Sequence, residues 1–254
     1  MLDLNNMKLG RLPSPPDDRN LMLANYLTPA LPPPPASVDW LAKVAFPSGA
    51  FGNLSLGDCT CAGVGHAIQG WTANTGTELT LPDQMILTLY ERACGYRPNN
   101  PATDQGGNLL SVAKYVKKYG CGGHKIDAFV SADTTNLTEI RTGLWLMGGL
   151  YTGFNVPQSA MQQTEDATKA GAPIVWDVVA DDGGIVGGHC VYVGAFDAEG
   201  FDLISWGYKV RATLSFWEKY FDEALPLLSP DWASAQPCPS GFNHTQLLAD
   251  VAAL

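Results

Sequence analysis

Six cysteines and four histidines are the side chains of this 254-residue sequence best suited to nucleophilic or metal chemistry. Cys59 has the most distinctive setting, in Asn53-Leu-Ser-Leu-Gly57-Asp58-Cys59-Thr-Cys61-Ala-Gly63-Val-Gly65-His66. A thiol that opens a helix faces unpaired backbone N–H groups and the positive end of the helix dipole, and both favour a thiolate. Asp58 opposes this with its own charge unless that charge caps the helix. The helix contains Ala62, Gly63, Gly65, Ala67 and Gly70. Glycine is costly inside a helix, so the run makes sense where other backbone or a substrate comes close. A packing helix with an inert cysteine is the alternative. A thiol nucleophile also needs a base. His66 shares the helix with Cys59 but lies about 10 Å up its axis, too far for a hydrogen bond, and reads as a packing histidine. His244 sits in the tail with no apolar framework. His124, in Cys121-Gly-Gly-His124, occupies a turn. With Cys59, Cys61 and Cys121 it would make a four-ligand metal set, although Cys59 and Cys61 lack zinc-knuckle spacing. His189 is the strongest base: it follows Gly187-Gly188 and opens His-Cys-Val-Tyr-Val-Gly, 130 residues after Cys59.

The elements that must position these groups are legible in the apolar period. Asp58 is placed to cap a helix running to about Asn74. Pro82 fits the first turn of a second helix, which Gly95 ends after Cys94. Leu109, Val112, Ala113 and Val116 form a stripe of helical period stopped by Gly120. Asn136 and Glu139 resemble a capping box opening a fourth helix that ends at Gly148-Gly149. The period then changes. Tyr151–Asn155, Ile174–Val179, His189–Phe196, Phe201–Trp206 and Lys209–Leu214 read as strands separated by Gly and Asp. A last helix, Ser215–Leu227, carries Phe216, Tyr220 and Phe221 on one face. A helical half followed by an antiparallel strand set predicts an α+β fold of two lobes with a cleft between them. The expected organisation is a proline-rich arm (1–35), a two-lobed domain (36–231, divided near 148/149) and a tail (232–254). Pro32–Pro35 should be polyproline II, in an extended segment lying on the domain.

Composition narrows the function. The formal net charge is −10 and the longest basic run is Lys117-Lys118, so nucleic acid and anionic lipid are poor partners. No apolar stretch approaches the ~18 residues of a membrane span. The first 20 residues have no apolar core, so no secretory signal is expected. A chain of this size needs no disulfide staples, and without such a signal reduced thiols are expected.

Several segments, in order, resemble the papain-like cysteine peptidases. Pro35-Ala-Ser-Val-Asp39-Trp40 is similar to the family's mature start, and Leu56-Gly-Asp-Cys59 to its nucleophile helix, with Thr60 replacing the usual tryptophan. Asp104-Gln-Gly106-Gly107-Asn-Leu-Leu looks like the next helix of the left lobe. Gly187-Gly188-His189-Cys-Val-Tyr-Val-Gly resembles the histidine strand, and Phe201-Asp-Leu-Ile-Ser-Trp206-Gly207 the strand of the third catalytic residue. The separation of Cys59 from His189 fits the family's roughly 130–150 residues. The resemblance covers about 35–231 and implies a thiol peptidase or amidohydrolase. Cys59 would be the nucleophile and His189 its base, with Asn53 an oxyanion donor where the family has glutamine. The histidine's orienting asparagine falls on Ile204, which accepts no hydrogen bond. Ser205 or Asp202 would substitute, although strand alternation puts Ser205 on the face opposite Ile204. Substrate would lie along Gly106, Gly107, Gly153, Phe154, Gly187, Gly188 and Trp206, with a weak preference for an apolar side chain. The implied partner is a peptide or protein substrate, with no cofactor and no metal. The arm is far too short to resemble the family's inhibitory propeptide. The altered supports, and a broad likeness to papain-like proteins of bacterial viruses, carry the alternative: a catalytically weak or inactive member serving a larger assembly such as a virion through arm contacts. The expected location is cytoplasmic or virion-associated.

Overall fold

A computed structural model describes residues 7–27, 32–234 and 240. His244, Cys238 and most of the expected tail lie outside the described residues. The helices are α1 (Cys59–Thr75), α2 (Asp83–Cys94), α3 (Leu109–Tyr119), α4 (Leu137–Met147), α5 (Gln158–Ala170), α6 (Leu214–Tyr220) and α7 (Pro230–Ala233). The strands are β1 (Val38–Asp39), β2 (Ala128–Phe129), β3 (Leu150–Pro157), β4 (Ile174–Trp176), β5 (Ile185–Phe196), β6 (Gly200–Ser205), β7 (Tyr208–Thr213), β8 (Phe221–Leu225) and β9 (Leu227–Leu228). The fold is α+β, with α1 to α3 preceding most of the sheet. The main sheet runs β4-β7-β6-β5-β3-β8, with β1 added on β5, and β2 pairs with β9 separately. Its pairs are antiparallel except β4 with β7, which is parallel. No described helix is long and apolar enough to cross a membrane.

Alternation along the central strands divides their side chains between two cores. Cys190 and Tyr192 of β5 and Ile204 of β6 join Val64, Ile68, Trp71, Ile86, Leu89 and Val112 of the helices. Val191, Val193 and Leu203, on the opposite face, join Phe154, Trp176, Phe201, Phe216 and Trp217. Both faces of the sheet are therefore covered, which is why these strands are almost continuously apolar. Trp40 packs against both cores. The glycines of α1 have a packing use. A Cβ on Gly63 would lie 2.9 Å from the Tyr151 ring, and one on Gly70 would overlap Tyr192. Tyr192 in turn donates to the Gly148 carbonyl. The helix gives up propensity so that the sheet can approach its backbone.

Three expectations are corrected. The aromatic stripe of the last helix breaks at Tyr220, because Phe221 leaves α6 to pair with Phe154 across β3 and β8. A helix that the periodicity did not mark, α5, covers one end of the sheet, with only Ala160 and Thr164 fully buried. Glu139 does not close a capping box: Asn136 accepts from the Glu139 N–H, whereas the Glu139 carboxylate accepts from the Asp133 N–H.

The arm lies on the body, as expected of an extended segment. Asp17 pairs with Lys114 at 2.6 Å, Ser14 Oγ accepts from the Leu110 N–H at the start of α3, and Leu23 enters the sheet core. Pro32–Pro35 form no helix or strand.

Candidate active site

Cys59 is the first residue of α1 and is fully buried. Its sulfur receives the backbone N–H groups of Cys190 and Gly10. The thiol thus lies against β5 at the residue following His189. On that strand His189 is 1% exposed. Its Nε2 is 3.0 Å from Ser205 Oγ, and the Trp206 ring stacks on it at 4.3 Å with an interplanar angle of 18°. Phe154 meets it edge-on at 5.9 Å. Its Nδ1 is buried with no hydrogen-bond partner.

The orienting position follows from register. Val193 pairs with Leu203 and Tyr192 with Ile204, so Ser205 falls on the face shared by Leu203, Val193 and His189. The face opposite Ile204 is therefore the face of the imidazole. Asp202 is not at the imidazole: it pairs with Ala195 in the ladder and with Arg211 and Lys209, each at 3.1 Å.

Asp58 does not cap α1 through its side chain. It is fully buried, and no well-formed hydrogen bond reaches either carboxyl oxygen. Burial holds this carboxyl well above the usual range, and the adjacent Asn53 amide offsets only part of that cost. A raised carboxyl pKa lessens the charge that Asp58 sets against a neighbouring thiolate. Asn53 is buried and donates its Nδ2 to the Leu56 carbonyl at 3.0 Å, so its amide serves the loop before Cys59 locally.

The cleft is occupied by the arm. Arg11 bridges Gly107 in parallel. The Leu12 N–H donates to Gly107 O at 2.8 Å, the Gly107 N–H to Gly10 O at 2.9 Å, and the Arg11 N–H to Gly188 O at 3.0 Å. Leu9 lies against Gly187, Gly10 against Gly106 and Gly57, and the Arg11 side chain against Gly153. Five glycines expected to line a substrate path therefore line the chain's own residues 9–12. Phe154 does not join them. It is fully buried, stacks on Phe221 at 4.8 Å, and supports the imidazole from the core side. Gly10 turns its N–H to the sulfur and its carbonyl to Gly107, so the thiol faces no electrophilic carbon from that residue.

Four contributors carried no local signal: Gly10, Arg11 and the Asp222-Glu223 pair. A fifth, Asp104, stood in a recognised segment without a role. It accepts from the Gly57 N–H at 2.9 Å, Tyr90 Oη at 2.7 Å and Lys8 Nζ at 2.6 Å. It ties the loop before Cys59, α2 and the arm to one carboxylate.

Burial sets the protonation state of the two groups. It pushes the Cys59 thiol up to about 12, with the Cys190 and Gly10 N–H groups offsetting part of the rise and Asp58 adding to it. It lowers the His189 imidazole to about 3, with nearby His66 adding to the effect. Both groups are neutral in this state. His66 is buried against Phe51, pairs with Gln69 Oε1 at 2.9 Å and is lowered to about 4 by burial. The four-ligand metal arrangement is not assembled. Cys121 and His124 bridge one another, and His124 pairs with Asp231 at 2.7 Å. Among the described residues no group of three or more His, Cys, Asp or Glu side chains could hold a metal ion. The five described cysteines are free.

No protein-family model matches the chain, and no curated protein matches its sequence. Solved structures do match. Xylellain, a cysteine protease from Xylella fastidiosa, superposes with a TM-score of 0.66 at 14% identity, covering 88% of this chain and 96% of that one. A procathepsin B from Trypanosoma congolense gives 0.60 at 11% identity, covering 90% and 88%. A cysteine protease of Carica candamarcensis gives 0.54 at 16% identity, covering 76% and 98%. The chain has the fold of the papain-like cysteine proteases.

Proposed function

We propose that the protein is a thiol peptidase held latent by its own residues 9–12. The observations that support this reading are the backbone N–H of Cys190 at the Cys59 sulfur, one residue along β5 from His189, and an imidazole whose Nε2 is held by Ser205 while Nδ1 is left without a partner. Once the arm leaves, water re-enters, the desolvation cost of both charged forms falls, and the pair can ionise as thiolate and imidazolium. The thiol proton then passes to Nδ1. The thiolate attacks a peptide carbonyl carbon, and the imidazolium protonates the departing amine, leaving a thioester on Cys59. Water, deprotonated by His189, hydrolyses that thioester and restores the thiol. The Cys59 N–H, which has no acceptor within its helix, is one oxyanion donor. Asn53 is the second, when a substrate oxygen competes with Leu56 for its amide. Trp206 shields the imidazole, and Gly106, Gly107, Gly187 and Gly188 form the substrate walls.

The filled cleft also favours a second reading, in which the arm never leaves and the chain is a silent component of an assembly. Iodoacetamide labelling of Cys59 against pH separates them, with His189→Ala as control and peptide mass spectrometry locating the label. In the Arg11→Ala chain the peptidase reading expects labelling that persists to about pH 5 and is lost in the control. Labelling that rises only near pH 8.5 leaves the silent reading.

A further inference from the structure

The way Arg11 is held points to the substrate. Its backbone lies between Gly107 and Gly188, and its side chain turns into a slot where Gly153 has no Cβ. A Cβ there would come within 2.5 Å of Arg11 Nε. The guanidinium is almost fully buried and is met by two carboxylates. Nη1 donates to Asp222 Oδ2 at 3.1 Å, and Nη2 lies 2.7 Å from Asp222 Oδ1 and 3.0 Å from Glu223 Oε2.

Consecutive strand residues normally face opposite sides. Here the register of β8 on β3 slips, with Gly153 opposite Glu223 and Phe154 opposite Phe221. Asp222 is the extra residue of that bulge, so both carboxylates turn to one side. Asn155 Nδ2 donates to Asp222 at 2.9 Å and fixes its plane. The fork geometry of a guanidinium suits such a pair, whereas an apolar side chain would leave two carboxylates without a counter-charge. Nothing about catalysis requires this arrangement, because neither acid approaches Cys59 or His189 in the contacts described.

Resting on the reading of this cleft as a peptide-binding cleft, we infer that the slot formed by Gly153, Asp222 and Glu223 selects peptides with a basic side chain, arginine above lysine, at the residue seated between Gly107 and Gly188. This replaces the weak apolar preference expected from the glycines alone. The arm holds the slot closed by presenting the side chain that the slot prefers.

The test uses the full-length Arg11→Ala chain, with Arg11→Gln as the milder form should Arg11→Ala not fold. Fluorogenic peptides carry one arginine, lysine or norleucine moved across the three residues preceding the scissile bond. The expected result is a preference of about tenfold or more for arginine over norleucine in kcat/KM at one position. Lysine should be intermediate, and the ratio should fall to about one in Asp222→Asn/Glu223→Gln. Cleavage with a ratio near one at every position, or a ratio that the double variant leaves intact, overturns the inference while the peptidase reading stands. If no peptide is cleaved, the peptidase reading fails, and fluorescence anisotropy with labelled forms of the same peptides decides. Arginine peptide binding about tenfold tighter than norleucine peptide supports the slot, and equal binding refutes it.

Discussion

The two walls of the cleft hold their reactive groups in different ways. On the sheet wall, His189 is fixed from three directions: Ser205 at 3.0 Å, the Trp206 face at 4.3 Å and the Phe154 edge at 5.9 Å. All of these are parts of the body and stay when the arm leaves. On the helical wall, Cys59 stands at the first turn of α1 beside a buried acid whose pKa is raised, and one of the N–H groups at its sulfur belongs to the arm. The difference separates aim from charge. The imidazole's orientation is built into the sheet, while the thiol's protonation is set by its burial.

The strongest way to break this comparison is to remove the sulfur. Cys59→Ala in the Arg11→Ala background should lower peptide hydrolysis by at least about 10⁴-fold, read as kcat/KM, with the thermal midpoint little changed. Next is the cover. A Cβ on Gly10 would overlap the Gly57 carbonyl, so Gly10→Val cannot seat the arm. Cys59 alkylation at pH 7 should then rise by about 10²-fold as desolvation is relieved. An unchanged rate would show that the arm is not what keeps the thiol neutral.

Ser205→Ala tests the sheet wall. Loss of the orienting hydroxyl should lower kcat by about 10- to 10²-fold with KM nearly constant, and Ser205→Thr, which keeps the hydroxyl, should restore most of it. Asp58→Asn tests the helical wall through stability. Because folding raises this carboxyl's pKa, the acid costs nothing below about 3.8 and destabilises increasingly as pH rises above it. The variant should therefore be more stable at pH 7, a gain that shrinks as pH falls toward 4 in denaturant titrations. Asn53→Ala should have the smallest effect, a fall in kcat of about tenfold, since its amide must first leave Leu56.

Much of the frame was readable because its signals are local. The Asn136 cap, the Gly95 and Gly120 stops and the alternation along β5 and β6 each involve neighbours in sequence. Cys59 and His189 followed from the order of several such segments. Ser205 was reachable once strand parity was applied to both partners of the pair rather than to Ile204 alone. Asp58 was misjudged because the sequence does not show that its loop is buried. Helix α5 escaped because Ala160 and Thr164 make too thin a stripe to register as a period. The acidic slot was beyond reach. Arg11 and Asp222 are 211 residues apart, and the bulge that aligns Asp222 with Glu223 lies where aromatic spacing suggested a helix.

The covalent link between the arm and the body has a kinetic consequence. An occupant carried on the same chain is present at an effective concentration on the order of millimolar, whatever the dilution of the protein. A peptide from solution competes against that local supply. Its apparent affinity is reduced by the fraction of time the cleft is closed, and diluting the protein cannot restore it. On the reading proposed above, activation would come from an event that acts on the tether itself, such as cutting the chain between the arm and β1 or capturing the arm elsewhere. Either would convert an occupant of fixed local supply into one that dissociates.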